Sequence, residues 1–373
     1  MNKSTIIKHN DLHEEHSFHT FYINDLHNTN FIKSLIELKE FIGNTSLPLV
    51  TIIHHTDMDG ICAAQITKEY LTNVIGLLPE EIDYIPYNYE KNYDFNSKIN
   101  PKCLHIVFVD LSPKMEDFIN VLSNRNRHIL WIDHHLGSVR EVQKSREYAE
   151  WDNVVNHLDA YVNIDGCGTK NVYDVTKDYT ILSSPVNMKF GDIFNESAIF
   201  LVDTYDRWVQ TTYKPSADAL NRLFYASEQL FVDSEIVNKV LHKYGDEEIA
   251  NSTLRDYILT GIRFQEIEQK KNDLRYEKFH KDYILTTPDG KEYRACVIWG
   301  SGNSQVFGSH IDEYDVVILA RKTKSKEWNY SFYSIKDNID CSAIAQQFGG
   351  AGHRGAAGCS TKENIIIGHC KLM

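Results

Sequence analysis

Three separated stretches of this 373-residue chain end an apolar run on acids and imidazoles. LPLVTIIH at 47–54 runs into His55, Asp57 and Asp59; LHIVFV at 104–109 stops at Asp110; and the run closing on Trp131 and Ile132 delivers Asp133, His134 and His135. A fourth source of carboxylates is NESAIFLVDTYDRWVQ at 195–210, where Asp203 and Asp206 lie three apart on neighbouring parts of one helical face. An acid in such an apolar helix is costly unless paired or metal-bound. Hard oxygen and imidazole donors suit Mn²⁺, Mg²⁺, Fe²⁺ or Zn²⁺, and the absence of clustered thiolates disfavours a structural zinc site. Four or five carboxylates with two or three imidazoles are too many for one ion. They suit a pair of ions roughly 3.5–4 Å apart, which splits phosphate esters by activating a water between them and stabilising the leaving oxygen. One carboxylate must then bridge, and Asp110, central among the strand ends, is the natural candidate. The expected chemistry is in-line hydrolysis of a phosphodiester or phosphomonoester. A last motif, QFGGAGHRGAAGC at 347–359, sets Gly349, Gly350 and Gly352 around His353 and Arg354. Glycines let backbone amides approach a phosphate, and His and Arg supply donors and charge.

The elements that position these groups follow from the pattern. The runs at 47–54, 104–109 and 128–132 read as buried strands, and helical patterns between them imply parallel βαβ units. The acids and imidazoles therefore gather at the carboxyl edge of one sheet, where open α/β sheets keep their ligands. Gly60 and the small residues after it open a helix, with Gly60 chosen for the turn's dihedrals, and Asp in that turn also caps. Ser112 and Pro113 mark a second helix start. Upstream, Phe31, Leu35, Leu38 and Ile42 recur at helical spacing up to Gly43. The stretch 139–195 is irregular, carries Gly166 and Gly168, and yields no clear element before the helix at 195. Residues 216–280 look all-helical, ending in a long charged helix that joins two domains. After Lys281, DYILTT, a turn at Pro288-Asp289-Gly290, EYRACVIWG, VVILAR and WNYSFYSI read as strands.

Length alone favours two domains. With 42% hydrophobic and 24% charged residues the chain is of ordinary globular composition. No apolar run reaches the roughly 18 residues of a membrane span, and MNKSTIIKHNDLHEEH lacks a signal-peptide core. A cytoplasmic protein without a membrane partner is expected. Seven scattered cysteines give no disulfide framework. His9, His13, His16, His19 and His27 follow no fixed spacing and read as solvated surface. The formal charge of −13 argues against a long grip on duplex nucleic acid. It leaves room for a short phosphorylated substrate whose charge is met by metal ions and a few local cations.

Taken in order, HTDMDG at 55–60, Asp110 after its strand, IDHH at 132–135, YDRW at 205–208, LNRLF at 220–224 and GGAGHR at 349–354 resemble the successive motifs of the DHH phosphoesterase superfamily. The resemblance spans about residues 47–362 and lies nearest the bacterial oligoribonuclease branch of nanoRNase B type. It implies an α/β chain: an N-terminal extension (1–46), a parallel-sheet DHH catalytic domain (47–226), a helical linker (227–280) and a smaller α/β C-terminal DHH-associated domain (281–373), with substrate held in the cleft between the domains. By the same resemblance His55, Asp57 and Asp110 hold a first metal, and Asp59, Asp110, His134 and Asp206 a second. Two divalent ions are implied, Mn²⁺ first, with Mg²⁺ or Fe²⁺ as alternatives. His135 faces the scissile phosphate. His353 and Arg354, with the amides near Gly350 and Gly352, bind the substrate's other phosphate or terminus, and Asp133 supports an imidazole. Asp206 is preferred to Asp203 because it occupies the family's YD-x-W position.

The activity so implied is exonucleolytic hydrolysis of very short single-stranded RNA or linear dinucleotides to mononucleotides, with side activity on 3′,5′-bisphosphorylated adenosine. A homodimer is compatible with it. Rivals are a phosphodiesterase for cyclic or linear dinucleotide signals, a single-strand DNA exonuclease, a pyrophosphatase, and a regulator that binds a nucleotide without cleaving it. The DNA exonuclease is disfavoured because the acidic chain shows no basic, aromatic-studded track, and a pyrophosphatase would want more cations at the C-terminal motif than one Arg. Two departures from the branch, the extension of nearly fifty residues and the motif-poor segment 139–195, bear on what enters the cleft.

Overall fold

The computed structural model describes residues 25–45, 47–90, 93–123, 126–135, 137–138, 157–228, 230–243 and 247–373. The histidines at 9, 13, 16 and 19, and 139–156 of the unplaced segment, lie outside the described residues. The chain forms two compact units, Met1–Asp206 with Leu223–Ile258, and Arg207–Arg222 with Leu259–Met373. The 227–280 stretch read as a linker is therefore divided between them, and its helix Glu235–Leu241 buries Val237, Val240 and Leu241 in the first unit.

The first unit is built on a parallel sheet of β1 (Val50–His55), β2 (Ile82–Tyr87), β3 (His105–Val109), β4 (His128–Asp133) and β5 (Leu158–Val162), ordered β2-β1-β3-β4-β5. Strands covered on both faces need apolar side chains at every position. β3 is accordingly buried from end to end, and Phe108, Phe118 and Trp131 meet ring to ring within one core cluster. His54 pairs with Val109 and Val109 with Ile132, so the three carboxyl ends come level with Asp110 between the other two. The outer strands differ: β2 carries Pro86 on an edge, where no ladder donor is needed. The helix Met58–Tyr70 follows β1 and buries Ile61, Cys62, Ala63 and Ala64, packing on the helix Gly168–Thr176. Upstream, Thr29 caps the helix Asn30–Ile42 through the Ile32 amide, and Phe31, Ile32 and Leu35 are buried while Ile42 is exposed.

The second unit holds a seven-stranded mixed sheet of β6 (Lys281–Thr286), β7 (Glu292–Trp299), β8 (Val316–Lys322), β9 (Trp328–Tyr333), β10 (Ala351–Gly352), β11 (Ala356–Thr361) and β12 (Cys370–Leu372), ordered β10-β11-β9-β8-β7-β6-β12. Among its described strands only β7 and β8 pair in parallel; the other pairs are antiparallel. The β6–β7 turn closes on Gly290 at φ 83°. The architecture is the expected α/β, with a parallel sheet in one unit and a separate α/β unit after it. Among the described residues no helix is long and apolar enough to cross a membrane.

Candidate metal centre

At the end of β1, His55 Nδ1 lies 2.9 Å from Asp57 Oδ2 and 3.7 Å from Asp110 Oδ2. Asp57 is also the N-cap of the following helix, its Oδ1 accepting the Gly60 amide at 2.9 Å. One oxygen caps and the other faces the imidazole. Gly60 is helical, so its requirement is not a turn dihedral. A Cβ there would lie 2.4 Å from the His55 carbonyl oxygen, and the helix could not start so close to the strand end.

Asp110 follows β3 in the left-handed region, at φ 53°. Its second oxygen, Oδ1, is 3.1 Å from His134 Nε2, which also lies 3.3 Å from Asp206 Oδ2 and 3.7 Å from Asp59 Oδ2. Asp110 thus turns one oxygen to each of two groups: His55, Asp57 and Asp110 on one side, Asp59, His134 and Asp206 on the other. Within each group the candidate ligand atoms fall within 4.8 Å of one another. Asp110 Oδ2 and Asp206 Oδ2 are buried without a hydrogen-bond partner. An unsatisfied buried carboxylate oxygen costs free energy, and a hard divalent cation supplies what these two lack.

The electrostatics agree. Burial works against the His55 imidazolium, yet Asp57 and Asp110 raise its pKa to about 11. Asp110 is pushed well above the usual carboxylate range by burial together with Asp59 and Asp57. Asp206 is raised to about 7 by burial, with His134 opposing and Asp59 adding to the shift. Carboxyls whose charged forms oppose one another in this way are the ones a divalent cation stabilises as carboxylates, binding with release of any proton they hold. The donor set fits a pair of divalent ions.

Asp59 is held from outside its own helix. Its two oxygens accept the amides of Gly168 and Thr169, each at 2.7 Å, and the Thr169 hydroxyl donates to the Asp59 carbonyl at 2.8 Å. These amides are the unpaired donors at the start of the helix Gly168–Thr176, where negative charge is favoured. The preceding amide, Cys167, donates to Asp203 Oδ1 at 2.7 Å. Asp203 therefore ties down the turn while Asp206 joins the cluster, a division that helical spacing left open. Gly168 and Thr169 escaped the sequence reading because their segment could not be placed; the signal was Gly166 and Gly168 ahead of the helical TKNVYDVT.

Asp133 is fully buried and accepts His135 Nδ1 at 2.8 Å on one oxygen and the Ser138 hydroxyl on the other. Burial would raise its pKa, but His135 and Ser138 hold it below the ordinary value. Ser138 reaches Ser112 at 2.8 Å, tying the loop after β4 to that after β3.

In the second unit the glycines of the C-terminal motif have a packing reason. A Cβ on Gly350 would lie 2.1 Å from the Gly358 carbonyl oxygen, and one on Gly352 2.5 Å from Ala357 Cα, across the β10–β11 pair. The Gly350 amide donates to the Ala345 carbonyl at 2.9 Å and so is committed to the preceding helix end. Arg354 donates to the Asp337 carbonyl, and the His353 amide to that of Ala356 at 2.8 Å. Trp208 of the YDRW motif packs on Gly355, where a Cβ would lie 1.9 Å from its Cδ1.

Comparison with known proteins gives one family match, over part of the chain. Residues 49–195 match the model of the DHH family, N-terminal domain. The uncharacterized protein R106 of Acanthamoeba polyphaga mimivirus is 24% identical over 332 residues, covering 86% of this chain and 69% of that one. Among solved structures, RecJ in complex with Mn²⁺ from Thermus thermophilus is similar with a TM-score of 0.45 at 13% identity, over 88% of this chain and 52% of that one. The pGpG-specific phosphodiesterase PggH from Vibrio cholerae is similar with a TM-score of 0.41 at 14% identity, over 84% and 93% of the two chains.

Proposed function

From the match of residues 49–195 to the DHH family's N-terminal domain, we propose that the chain is a metal-dependent phosphodiesterase that hydrolyses short oligoribonucleotides and linear dinucleotides to mononucleotides. The observation that carries the reading is the division of Asp110: Oδ2 lies 3.7 Å from His55 and Oδ1 3.1 Å from His134, the disposition of a carboxylate shared between two ligand groups. His55, Asp57 and Asp110 would hold one divalent ion, and Asp59, Asp110, His134 and Asp206 the other, Mn²⁺ being the first choice. Such ions supply Lewis acidity and a water activated near neutral pH. The chain's own groups do the positioning. Asp133, clamped by Ser138, orients His135 as a hydrogen-bond partner for a phosphoryl oxygen. The Gly168 and Thr169 amides hold Asp59 with both oxygens engaged. A net charge of −13 repels a long polyanion, which favours substrates of a few nucleotides.

The test incubates the purified protein with Mn²⁺ and 5′-labelled RNA and DNA of two to ten residues, alongside cyclic dinucleotides. RNA dimers are expected to disappear fastest. Faster loss of the cyclic species, or binding without turnover of any of them, overturns the reading. Asp110→Ala should abolish metal-dependent hydrolysis in a folded protein, and retained turnover removes Asp110 from its role.

A further inference from the structure

At the end of the second unit's sheet opposite the GGAGHR segment, an open depression of about 670 Å³ lies over β7, β8 and β9. Trp299 and Trp328 form its aromatic wall, and Arg321, Lys322 and Lys324 its charged one; no carboxylate is among the described lining residues, in a chain of net charge −13. Sheet register explains why residues so far apart in sequence meet. Trp299 pairs with Ala320, and Lys322 with Trp328; since strand side chains alternate, Trp299, Ala320, Lys322 and Trp328 share one face. The two indoles meet edge to face with centroids 5.5 Å apart, and Lys322 Nζ lies 5.4 Å over the Trp328 ring. Trp299 remains 37% exposed.

The loop beside the indoles is built rather than loose. Arg275 donates to the Ser301 carbonyl at 2.6 Å and to the Trp299 carbonyl at 3.3 Å. Gly300, at φ 126°, makes room for it, because a Cβ there would lie 2.7 Å from an Arg275 guanidinium nitrogen. An ordered aromatic face is thus fixed beside Lys322, with Lys324 just beyond it and Arg321, on the alternate side of β8, turned to Ser301 at 3.5 Å.

We propose that this depression is a second binding site, one that takes one or two nucleotides of a single-stranded nucleic acid, a base stacking on Trp299 and its phosphates meeting Arg321, Lys322 and Lys324. Cations alone attract any polyanion, and indoles alone any apolar group; the pair selects a π-face joined to phosphate. The described lining is confined to one end of three strands, which suits one or two nucleotides rather than a long track. The sequence reading found no basic, aromatic-studded track, and indeed none is continuous in the chain; β-pairing assembles a short one. The proposal stands on this depression alone and does not require the first unit to be hydrolytic.

The test uses the full chain in EDTA, which suppresses metal-dependent turnover, and fluorescence anisotropy with 5′-fluorescein ten-residue oligo(U) and oligo(dT), with tripolyphosphate as competitor. Trp299→Ala should weaken oligonucleotide binding about tenfold, and Trp299→Phe should keep most of it. The triple variant Arg321→Ala, Lys322→Ala, Lys324→Ala should flatten the salt dependence by about 0.7 in log–log slope for each phosphate it no longer engages. Equal effects on both oligomers assign recognition to base and phosphate, and unequal effects add the sugar. Mn²⁺-dependent hydrolysis of bis(p-nitrophenyl) phosphate should be the same in parent and variants. Should the tryptophan variants unfold on melting, the charge variant decides alone. The proposal is overturned if the parent binds neither oligomer, if both kinds of folded variant bind like the parent, or if tripolyphosphate competes fully and Trp299→Ala is silent.

Discussion

Gly168→Ala tests the geometry of the candidate metal centre without replacing any of its candidate ligands. The new methyl would stand 2.6 Å from Asp110 Cβ and 3.1 Å from its Cγ and Oδ1. Carbon atoms rest at about 3.5–4.0 Å, so the contact must open by roughly 1 Å. Neither side yields alone. Asp110 is held in the left-handed region between two imidazoles, and the amides of Gly168 and Thr169 are both bonded to Asp59 at 2.7 Å. Whichever gives, a carboxylate of the cluster is displaced: Asp110 from His55 and His134, or Asp59 from its place beside His134. A misplacement of about 1 Å costs on the order of 10²-fold in rate, whereas overpacking of this size costs about 1–3 kcal/mol of stability. The two effects separate experimentally. Denaturant melts give the stability loss, calorimetric titration gives Mn²⁺ affinity, and turnover of a labelled RNA dinucleotide is read at a temperature where the variant is folded. The expected result is a rate about 10²-fold lower with weakened Mn²⁺ binding. Gly368→Ala serves as control, since a Cβ there meets nothing within 4 Å. Native turnover together with native Mn²⁺ affinity in Gly168→Ala would refute the claim that this helix start sets the positions of Asp59 and Asp110.

Three further outcomes follow from the same contacts. Asp110→Asn replaces a carboxyl whose charged form burial, Asp59 and Asp57 all oppose, so melts of the metal-free protein at pH 8 should show no loss of stability while Mn²⁺-dependent turnover vanishes; a clear drop in melting temperature contradicts this. Asp133→Asn keeps the shape but weakens the hold on His135, and turnover should fall about 10–100-fold with the Ser138 contact retained, so an unchanged rate counts against the pair. His105, 1% exposed at the start of β3, has its pKa lowered to about 3 by burial and then by His128. The unfolded chain then takes the proton first, so the contribution is intact above about pH 6.5 and is lost as pH falls towards 3; about 2 kcal/mol should go between pH 6.5 and 5, and His105→Gln should flatten that slope in denaturant titrations.

How much of the fold can be read in advance depends on where each strand sits. β1, β3 and β4 are interior to a parallel sheet, covered on both faces, and announce themselves as predominantly apolar runs. β2 and β5 are edge strands; IDYIPY and LDAYV carry polar residues that the half-exposed edge tolerates, and no run betrays them. The same holds in the second unit, where β6 to β9 are legible, while β11 is made of small residues and β10 and β12 are only two and three residues long. Glycine shows the limit from the other side. Gly60, Gly350 and Gly352 are conspicuous in the chain, but what a side chain would strike, His55, Gly358 and Ala357, is a property of packing alone.

The site was legible in its residue types and opaque in its division of labour. Acids and imidazoles at three strand ends name the donors, yet an Asp in the first turn of a helix can cap, pair or ligate, and only the N–H groups it meets decide. For Asp59 these lie more than a hundred residues away in sequence, at Gly168 and Thr169, inside the stretch that periodicity could not place. Their effect on the cluster is electrostatic as well as geometric. Two amides at a helix N-terminus offset part of the cost of burying the Asp59 charge. Asp57 gains the Gly60 amide and His55 to the same end. Asp110 and Asp206 receive no such donor on their buried Oδ2 atoms, and in both the pKa is driven upward. The compensated acids and the uncompensated ones are therefore distinct, and it is the uncompensated oxygens, one turned to each ligand group, that leave the charge a pair of divalent cations would meet.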